Sequence, residues 1–216
     1  MYGRSRFKLP GLSAVNKHRL LIIFTKNPEV GRVKTRLAHS IGEEKALEVY
    51  ETLRSHTARV SEGVDAERTI YYSRFIPPSD LFFTERFTPR LQKGDDLGER
   101  MFHAIEEGFA SGFRHIVLIG TDCYELRREV LNEAFSALEQ YDAVIGPATD
   151  GGFYLIGLNK LFPDLFLDRQ WSTPEVLKET ATKLQQHSIE YKLLTELSDI
   201  DTFDDLKKRT LWPHQP

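Results

Sequence analysis

Short apolar runs along the chain alternate with longer stretches in which apolar residues recur every three or four positions. Leu20-Leu21-Ile22-Ile23-Phe24 is a continuous apolar run, as expected of a strand buried on both faces of a parallel sheet. Residues 42–60 change period. There Leu47, Tyr50, Leu53, Thr57 and Val60 fall at helical spacing, while Glu43, Glu44, Glu51 and Arg54 sit on other faces. A second strand is expected over 68–73, around Ile70, Tyr71 and Tyr72. Pro77-Pro78 breaks the chain before a short helix over 78–83 and a short extended piece over 90–92. Residues 96–109 predict a helix, with Asp96 as cap, Glu99 completing a near capping box, and Leu97, Met101, Ile105 and Phe109 as the apolar stripe. Residues 115–120 are the clearest buried strand, and 127–139 a helix. Two further apolar runs, 143–148 and 153–158, flank Asp150-Gly151-Gly152. A helix is expected over 174–186, with Thr173 as cap and Pro174 in its favoured first position. A late strand over 189–194 and a short helix over 202–209, capped by Thr202, close the pattern.

This alternation predicts one α/β domain with a mainly parallel sheet covered on both faces. A length of 216 residues suits one full core and is short for two. The net charge of −3 gives no sign of a general nucleic-acid binder. The single cysteine, Cys123, excludes a disulfide framework and a Cys-rich zinc site, and points to a reducing, cytoplasmic setting. No apolar run reaches membrane-spanning length. Residues 1–18 are basic and lack the apolar core of a signal peptide, so they are read as a flexible extension to a domain spanning 19–210, with 211–216 as a tail.

Several groups could carry chemistry. After the first strand, Lys26, Gly31, Arg32, Lys34 and Arg36 gather four cations and a glycine just before a helix start, a setting suited to an anion such as phosphate. The spacing matches neither a Walker loop nor Gly-x-Gly-x-x-Gly. Asp122 follows the 115–120 strand, and Asp199-Ile200-Asp201 follows the last one. Ligands of open α/β sheets bind outside the carboxyl ends of the strands. Carboxylates there, opposite a basic loop, suit a divalent metal bridging to phosphate. Asp150-Gly151-Gly152 is either a hairpin turn or a carboxylate at a strand end with glycines that let a ligand approach. Gln92, Gly94, Asp96 and Gly98 form a loop and helix start that could lie against a ligand. Trp171, with Ser172 beside it, is either core or a stacking surface for a sugar or base. The seven histidines show no metal-ligand spacing, and Cys123 has no evident partner base.

With these residues assembled, the sequence resembles the DUF2064 group of GT-A-fold glycosyltransferases, related to the MobA-like and CofC-like nucleotidyltransferases. Five blocks carry the resemblance in order: 24–37, 92–100, Ile119-Gly120-Thr121-Asp122-Cys123, 146–157 and Trp171-Ser172-Thr173. The ending Asp199-Ile200-Asp201-Thr202 is similar to the Asp-x-Asp-Thr ending of the nucleotidyltransferases. The resemblance implies a single-domain, three-layer GT-A-like fold with a mainly parallel central sheet. It implies a nucleotide-sugar or nucleoside triphosphate substrate, an acceptor it does not identify, and Mg2+ or Mn2+. Lys26, Gly31, Arg32, Lys34 and Arg36 would hold the phosphates. Asp122, completed by Asp199 or Asp201, would hold the metal. Gln92 to Gly98 would lie near base, ribose or sugar. Asp150, beside Gly151 and Gly152, would act as base, metal ligand or positioning group. Tyr124 stands where the family pattern has proline, and Asn27 where it has a small residue. The oligomeric state is not implied. Glycosyl transfer is the first reading, nucleotidyl transfer with pyrophosphate release the second, and a non-catalytic nucleotide-binding module the third.

Overall fold

A computed structural model describes residues 16, 18–84 and 86–208. The proposed extension at 1–18 and the tail at 211–216 lie almost wholly outside these residues. Seven strands form one sheet: β1 (Arg19–Thr25), β2 (Glu67–Tyr72), β3 (Phe87–Leu91), β4 (His115–Ile119), β5 (Ala143–Pro147), β6 (Phe153–Leu158) and β7 (Tyr191–Leu193). Their order is β3-β2-β1-β4-β6-β5-β7. All neighbouring pairs are parallel except β6, which runs antiparallel to both β4 and β5. The Asp150-Gly151-Gly152 turn reverses the chain directly, so β6 wedges in between β4 and β5.

The helices are α1 (Thr35–Ile41), α2 (Glu43–Glu62), α3 (Leu97–Ala110), α4 (Arg128–Ala137), α5 (Val176–Gln186) and α6 (Phe203–Lys207). The apolar run of β1 divides between two cores. Leu21 and Ile23 pack on one face with Val64, Leu131 and Phe135, from the α2 and α4 side. Leu20, Ile22 and Phe24 pack on the other with Met101, Ile105 and Leu184, from α3 and α5. That arrangement makes the three layers. A third cluster joins α1, α2 and α6 through Leu37, Val49, Leu53, Ile200 and Leu206.

Several expectations change. Arg36, placed just before the expected helix start, already belongs to α1, which Gly42, at φ 89°, separates from α2. Residues 78–83 form turns rather than a helix, and the short extended piece is the five-residue edge strand β3. Helix α5 begins at Val176, not Pro174, and its N-cap is Glu175, with no side-chain cap. Ser172, at φ 61°, bends the chain just ahead of it, so Pro174 and Glu175 form a turn. The other two caps stand: Asp96 accepts from Glu99 N at 2.9 Å, and Thr202 forms a full capping box with Asp205. Glu99 reaches back to Asp95 N rather than to the cap residue. Arg54 is not on an outer face. It is 1% exposed and forms an ion pair with Asp80 in the β2–β3 connection.

Candidate active site

The carboxyl ends of β1, β2, β4, β5 and β7 share one edge of the sheet with the start of β6. Thr25, Asp122, Asp150 and Asp199 therefore emerge together, and a cleft of about 770 Å³ opens there.

One wall is basic. Lys26 follows β1, and Arg32, Lys34 and Arg36 come from the loop and first turn of α1. Arg32 and Arg36 are well exposed, with side chains 62% and 73% accessible. Lys34 differs: its side chain is 4% exposed, and its ammonium lies 2.6 Å from Asp122 Oδ1 and 3.0 Å from Asp201 Oδ1. Burial works against that charge, but the Asp122 and Asp201 carboxylates outweigh it and push the ammonium up to about 12. Arg36 takes the other oxygen of Asp201, at 2.8 Å.

The acidic floor is built by one buried residue. Ile200 is fully buried in the α1–α2–α6 cluster, so the chain presents Asp199 and Asp201 on either side of it. The Ile200 amide donates to the Asp122 carbonyl at 3.1 Å, which ties the Asp199–Asp201 segment to the end of β4. Asp199 Oδ1 is buried and, among the described residues, has no hydrogen-bond partner. Burial, and then the charge of Asp122, push its carboxyl up to about 7, while Lys34 opposes them.

The remaining wall is mixed. Gln92, Asp95 and Asp96 contribute from the β3–α3 connection, and Leu97, Arg100 and Met101 from the start of α3. Asp150, Gly152, Phe153, Trp171 and Ser172 contribute from the hairpin and the loop before α5. Asp150 Oδ1 accepts from Gly152 N at 2.9 Å. The turn is therefore a β5–β6 hairpin connection and, at the same time, an exposed carboxylate lining the cleft. Trp171 meets Phe153 edge-on, and Arg169 lies over its ring at 4.7 Å.

Four expected ligand-side glycines do not line the cleft: Gly31, Gly94, Gly98 and Gly151. Three of them, Gly94, Gly98 and Gly151, are packing positions, and a Cβ on Gly94 would press on Glu99 and on the Arg100 amide. A Cβ on Gly98 would collide with Phe166 O and Trp171 Nε1, and one on Gly151, at φ 88°, with the backbone of Pro174. Gly31 and Gly94 take positive φ in the loops that carry Arg32 and Asp95.

Beneath the site runs a polar network absent from the sequence reading. The Tyr50 hydroxyl lies 3.1 Å from Thr25 Oγ1 and 3.2 Å from Thr121 Oγ1, and accepts from Lys26 N at 2.8 Å. Arg54 Nε donates to Thr25 Oγ1 at 3.2 Å. Helix α2 thus pins the ends of β1 and β4. The signal was present, because Arg54 falls four residues after Tyr50, on the same helical stripe. Cys123 is buried, and burial pushes its thiol up to about 12, which disfavours the reactive thiolate. Tyr124 packs against His56 with the rings tilted and their centres 4.6 Å apart, and leaves Asp122 lining the cleft.

The donor chemistry fits a hard divalent cation in part. Among the described residues no three acidic, His or Cys side chains are grouped to hold a metal ion. Magnesium is commonly held by one or two carboxylates plus substrate phosphates. Asp122 and the unpartnered Asp199 oxygen meet that smaller requirement.

The DUF2064 family model, described as an uncharacterized protein conserved in bacteria, matches residues 57–173, more than half of the chain. A proposed nucleotide-diphospho-sugar transferase from Desulfovibrio desulfuricans G20 is 33% identical. It matches over 88% of this chain and 85% of its own, with a TM-score of 0.81. A CMP:2-keto-3-deoxy-manno-octonic acid synthetase complexed with CTP is 11% identical, over 89% of this chain and 96% of its own, with a TM-score of 0.55. The 4-diphosphocytidyl-2C-methyl-D-erythritol synthase of Anaerococcus prevotii DSM 20548 is also 11% identical, over 89% and 96%, with a TM-score of 0.56. The last two share the fold. No curated protein sequence matches the chain. Among the described residues no helix is long and apolar enough to cross a membrane.

Proposed function

The chain belongs to the DUF2064 family, and from that premise we propose that it is a nucleotide-dependent transferase that moves a glycosyl group from a nucleotide-diphospho-sugar donor. The observation that carries this reading is one cleft with exposed cations on one wall, carboxylates on its floor and an aromatic pair beside an exposed Asp150. Lys26, Arg32 and Arg36 would bind the diphosphate, and Lys34 would join them. Asp122 and Asp199 would hold Mg2+ or Mn2+, which when bound neutralises charge developing on the departing diphosphate. Asp150 would receive the acceptor's proton or orient the sugar, and Trp171 with Phe153 would offer an apolar surface to a sugar ring. Gln92 and the Asp95–Leu97 turn would contact base or ribose. The donor is a small molecule, and a cytoplasmic location belongs to the same reading, since the lone thiol, Cys123, stays reduced there.

The test is a panel of nucleotide sugars with Mg2+ or Mn2+, scored first by thermal shift and then by release of nucleoside diphosphate. Neither binding nor turnover across the panel would sink the proposal. Asp122→Asn should abolish metal-dependent turnover in a protein that still folds; retained turnover removes Asp122 from the site. A second reading, nucleotidyl transfer from a nucleoside triphosphate to a phosphorylated or carboxylated metabolite, is favoured by the number of cations and by the Asp199-Ile200-Asp201 ending. Pyrophosphate release without nucleoside diphosphate would select it. A third reading, a non-catalytic nucleotide-binding module, is motivated by Tyr124 after Asp122-Cys123, and tight nucleotide binding that depends neither on Asp122 nor on metal would select it.

A further inference from the structure

The Lys34 side chain is buried, yet it stands on the wall from which the other cations face solvent. It is a non-glycine residue held at φ 47°, ψ 45°, between the buried Val33 and Leu37. That backbone is costly for a side chain carrying a Cβ. What the strained position achieves is placement of one ammonium within hydrogen-bond reach of both Asp122 and Asp201. A third acid, Asp199, lies next to them and keeps an unpartnered oxygen. The floor of the cleft therefore carries three carboxylates, and Lys34 is already the cation for two of them.

We propose that Lys34 makes divalent-cation binding conditional on nucleotide: its ammonium guards Asp122 in the free protein and releases it only when a phosphate takes the ammonium over. The proposal rests on the transferase reading. A divalent cation approaching Asp122 and Asp199 meets the Lys34 charge at Asp122 Oδ1. Either it displaces an ammonium held by two carboxylates, or it waits until another anion claims that ammonium. A nucleotide diphosphate is such an anion, and Lys26, Arg32 and Arg36 line the same cleft to receive it. Once Lys34 has moved to phosphate, Asp122 and Asp199 are left without a counter-cation, and the metal bound to the same diphosphate supplies one. Metal and nucleotide then bind with positive coupling, and the free protein does not take up metal on its own.

Mn2+ titration followed by electron paramagnetic resonance, with thermal shift in parallel, tests this on the full chain, using pyrophosphate as the base-independent probe. For the wild type, Mn2+ alone should bind weakly and leave Tm unchanged. Pyrophosphate alone should raise Tm, and the pair should raise it by more than the sum. In Lys34→Met, Mn2+ alone should bind roughly ten- to hundredfold tighter than in the wild type, the equivalent of one charge-assisted hydrogen bond removed from competition. Arg36→Ala, which takes a cation from Asp201 but leaves Lys34 in place, should stay within about threefold of wild type, as expected of an exposed ion pair. Tight binding of Mn2+ alone to the wild type would overturn the proposal. So would an unchanged affinity in Lys34→Met, or an equal gain in Arg36→Ala. If Lys34→Met does not fold, the wild-type synergy between Mn2+ and pyrophosphate decides. These readouts concern Lys34 alone, whereas donor turnover decides the transferase reading, so the two can fail separately.

Discussion

Asp199 should make the stability of the free protein fall as pH rises through neutrality, and Asp199→Asn should remove that dependence. Burial and the Asp122 charge lift the Asp199 carboxyl from 3.8 to about 7. An acid whose folded pKa lies above its unfolded one binds its proton more tightly in the folded chain. The contribution to stability is therefore present at low pH and is lost as pH rises through the folded value. Taking the two values 3.8 and about 7, linkage gives a loss of about 2.5 kcal/mol between pH 5 and pH 8. For a chain of this size, that corresponds to roughly 5–10 °C in Tm. Asparagine keeps the shape and carries no charge to desolvate. The Tm of Asp199→Asn minus that of the wild type should thus climb by this amount from pH 5 to pH 8, because titrations not coupled to Asp199 cancel in the difference. Thermal unfolding followed by circular dichroism, in metal-free buffer at half-unit pH steps, measures it. A Tm difference that stays flat across the range, or one that falls, would refute the reasoning: the carboxylate would then be solvated or already paired, and its oxygen would not be waiting for a cation.

Arg54→Met leaves Asp80 charged in a buried position and should cost about 3–5 kcal/mol in urea unfolding; a loss below about 1 kcal/mol would mean that the pair is solvated. Arg32→Ala should weaken nucleotide binding about tenfold by calorimetry, one charge-assisted contact, with stability within about 0.5 kcal/mol of wild type; unchanged affinity would show that the loop is only solvated. Gly98→Ala forces a methyl group against Trp171 Nε1 and Phe166 O. It should shift Trp171 fluorescence and cost about 1–3 kcal/mol, and an unaltered spectrum would show that the loop before α5 has room to move.

The elements that were legible in the sequence are those whose burial writes a period. Leu20 to Phe24 is apolar at every position because both faces of β1 are covered, and the α3 stripe repeats over Met101, Ile105 and Phe109 because that side faces Phe24 and Ile116, whereas Leu97, 42% exposed, lines the cleft instead. Asp96 and Thr202 announce helix starts because a short side chain satisfies the same amide wherever it occurs. Failures fall where tertiary structure overrides such local rules. Helix α1 was hidden because Lys34 enters it from a left-handed backbone that lysine rarely adopts, and because Gly42 ends it after seven residues. The charge of Arg54 argues for an outer face, whereas its position on the Tyr50 stripe argues for burial; the partner that allows that burial, Asp80, is 26 residues away. Thr173 and Pro174 form a favoured helix start that the backbone declines, since Gly151 packs beneath Pro174 and Leu177 N donates to Gly151 O.

The acids of the site show why residue types alone could not decide between ligand and counter-ion. Asp122, Asp199 and Asp201 are equivalent on paper, each an acid after a strand. Their surroundings separate them. Asp201 shares Lys34 and Arg36 and is the most fully paired. Asp122 shares Lys34 but keeps a side chain 41% exposed. Asp199 has a buried oxygen with no partner among the described residues. Low dielectric makes an unpaired buried charge expensive, so burial and the Asp122 charge favour the protonated form of Asp199, while Lys34 opposes them. The cost is borne by the α1–α2–α6 cluster, because Ile200 cannot leave it without uncovering a fully buried side chain, and while Ile200 stays, Asp199 is held beside Asp122. Asp199 is thus a carboxyl held against its own solvation preference, whereas Asp201 has both oxygens paired, one with Lys34 and the other with Arg36.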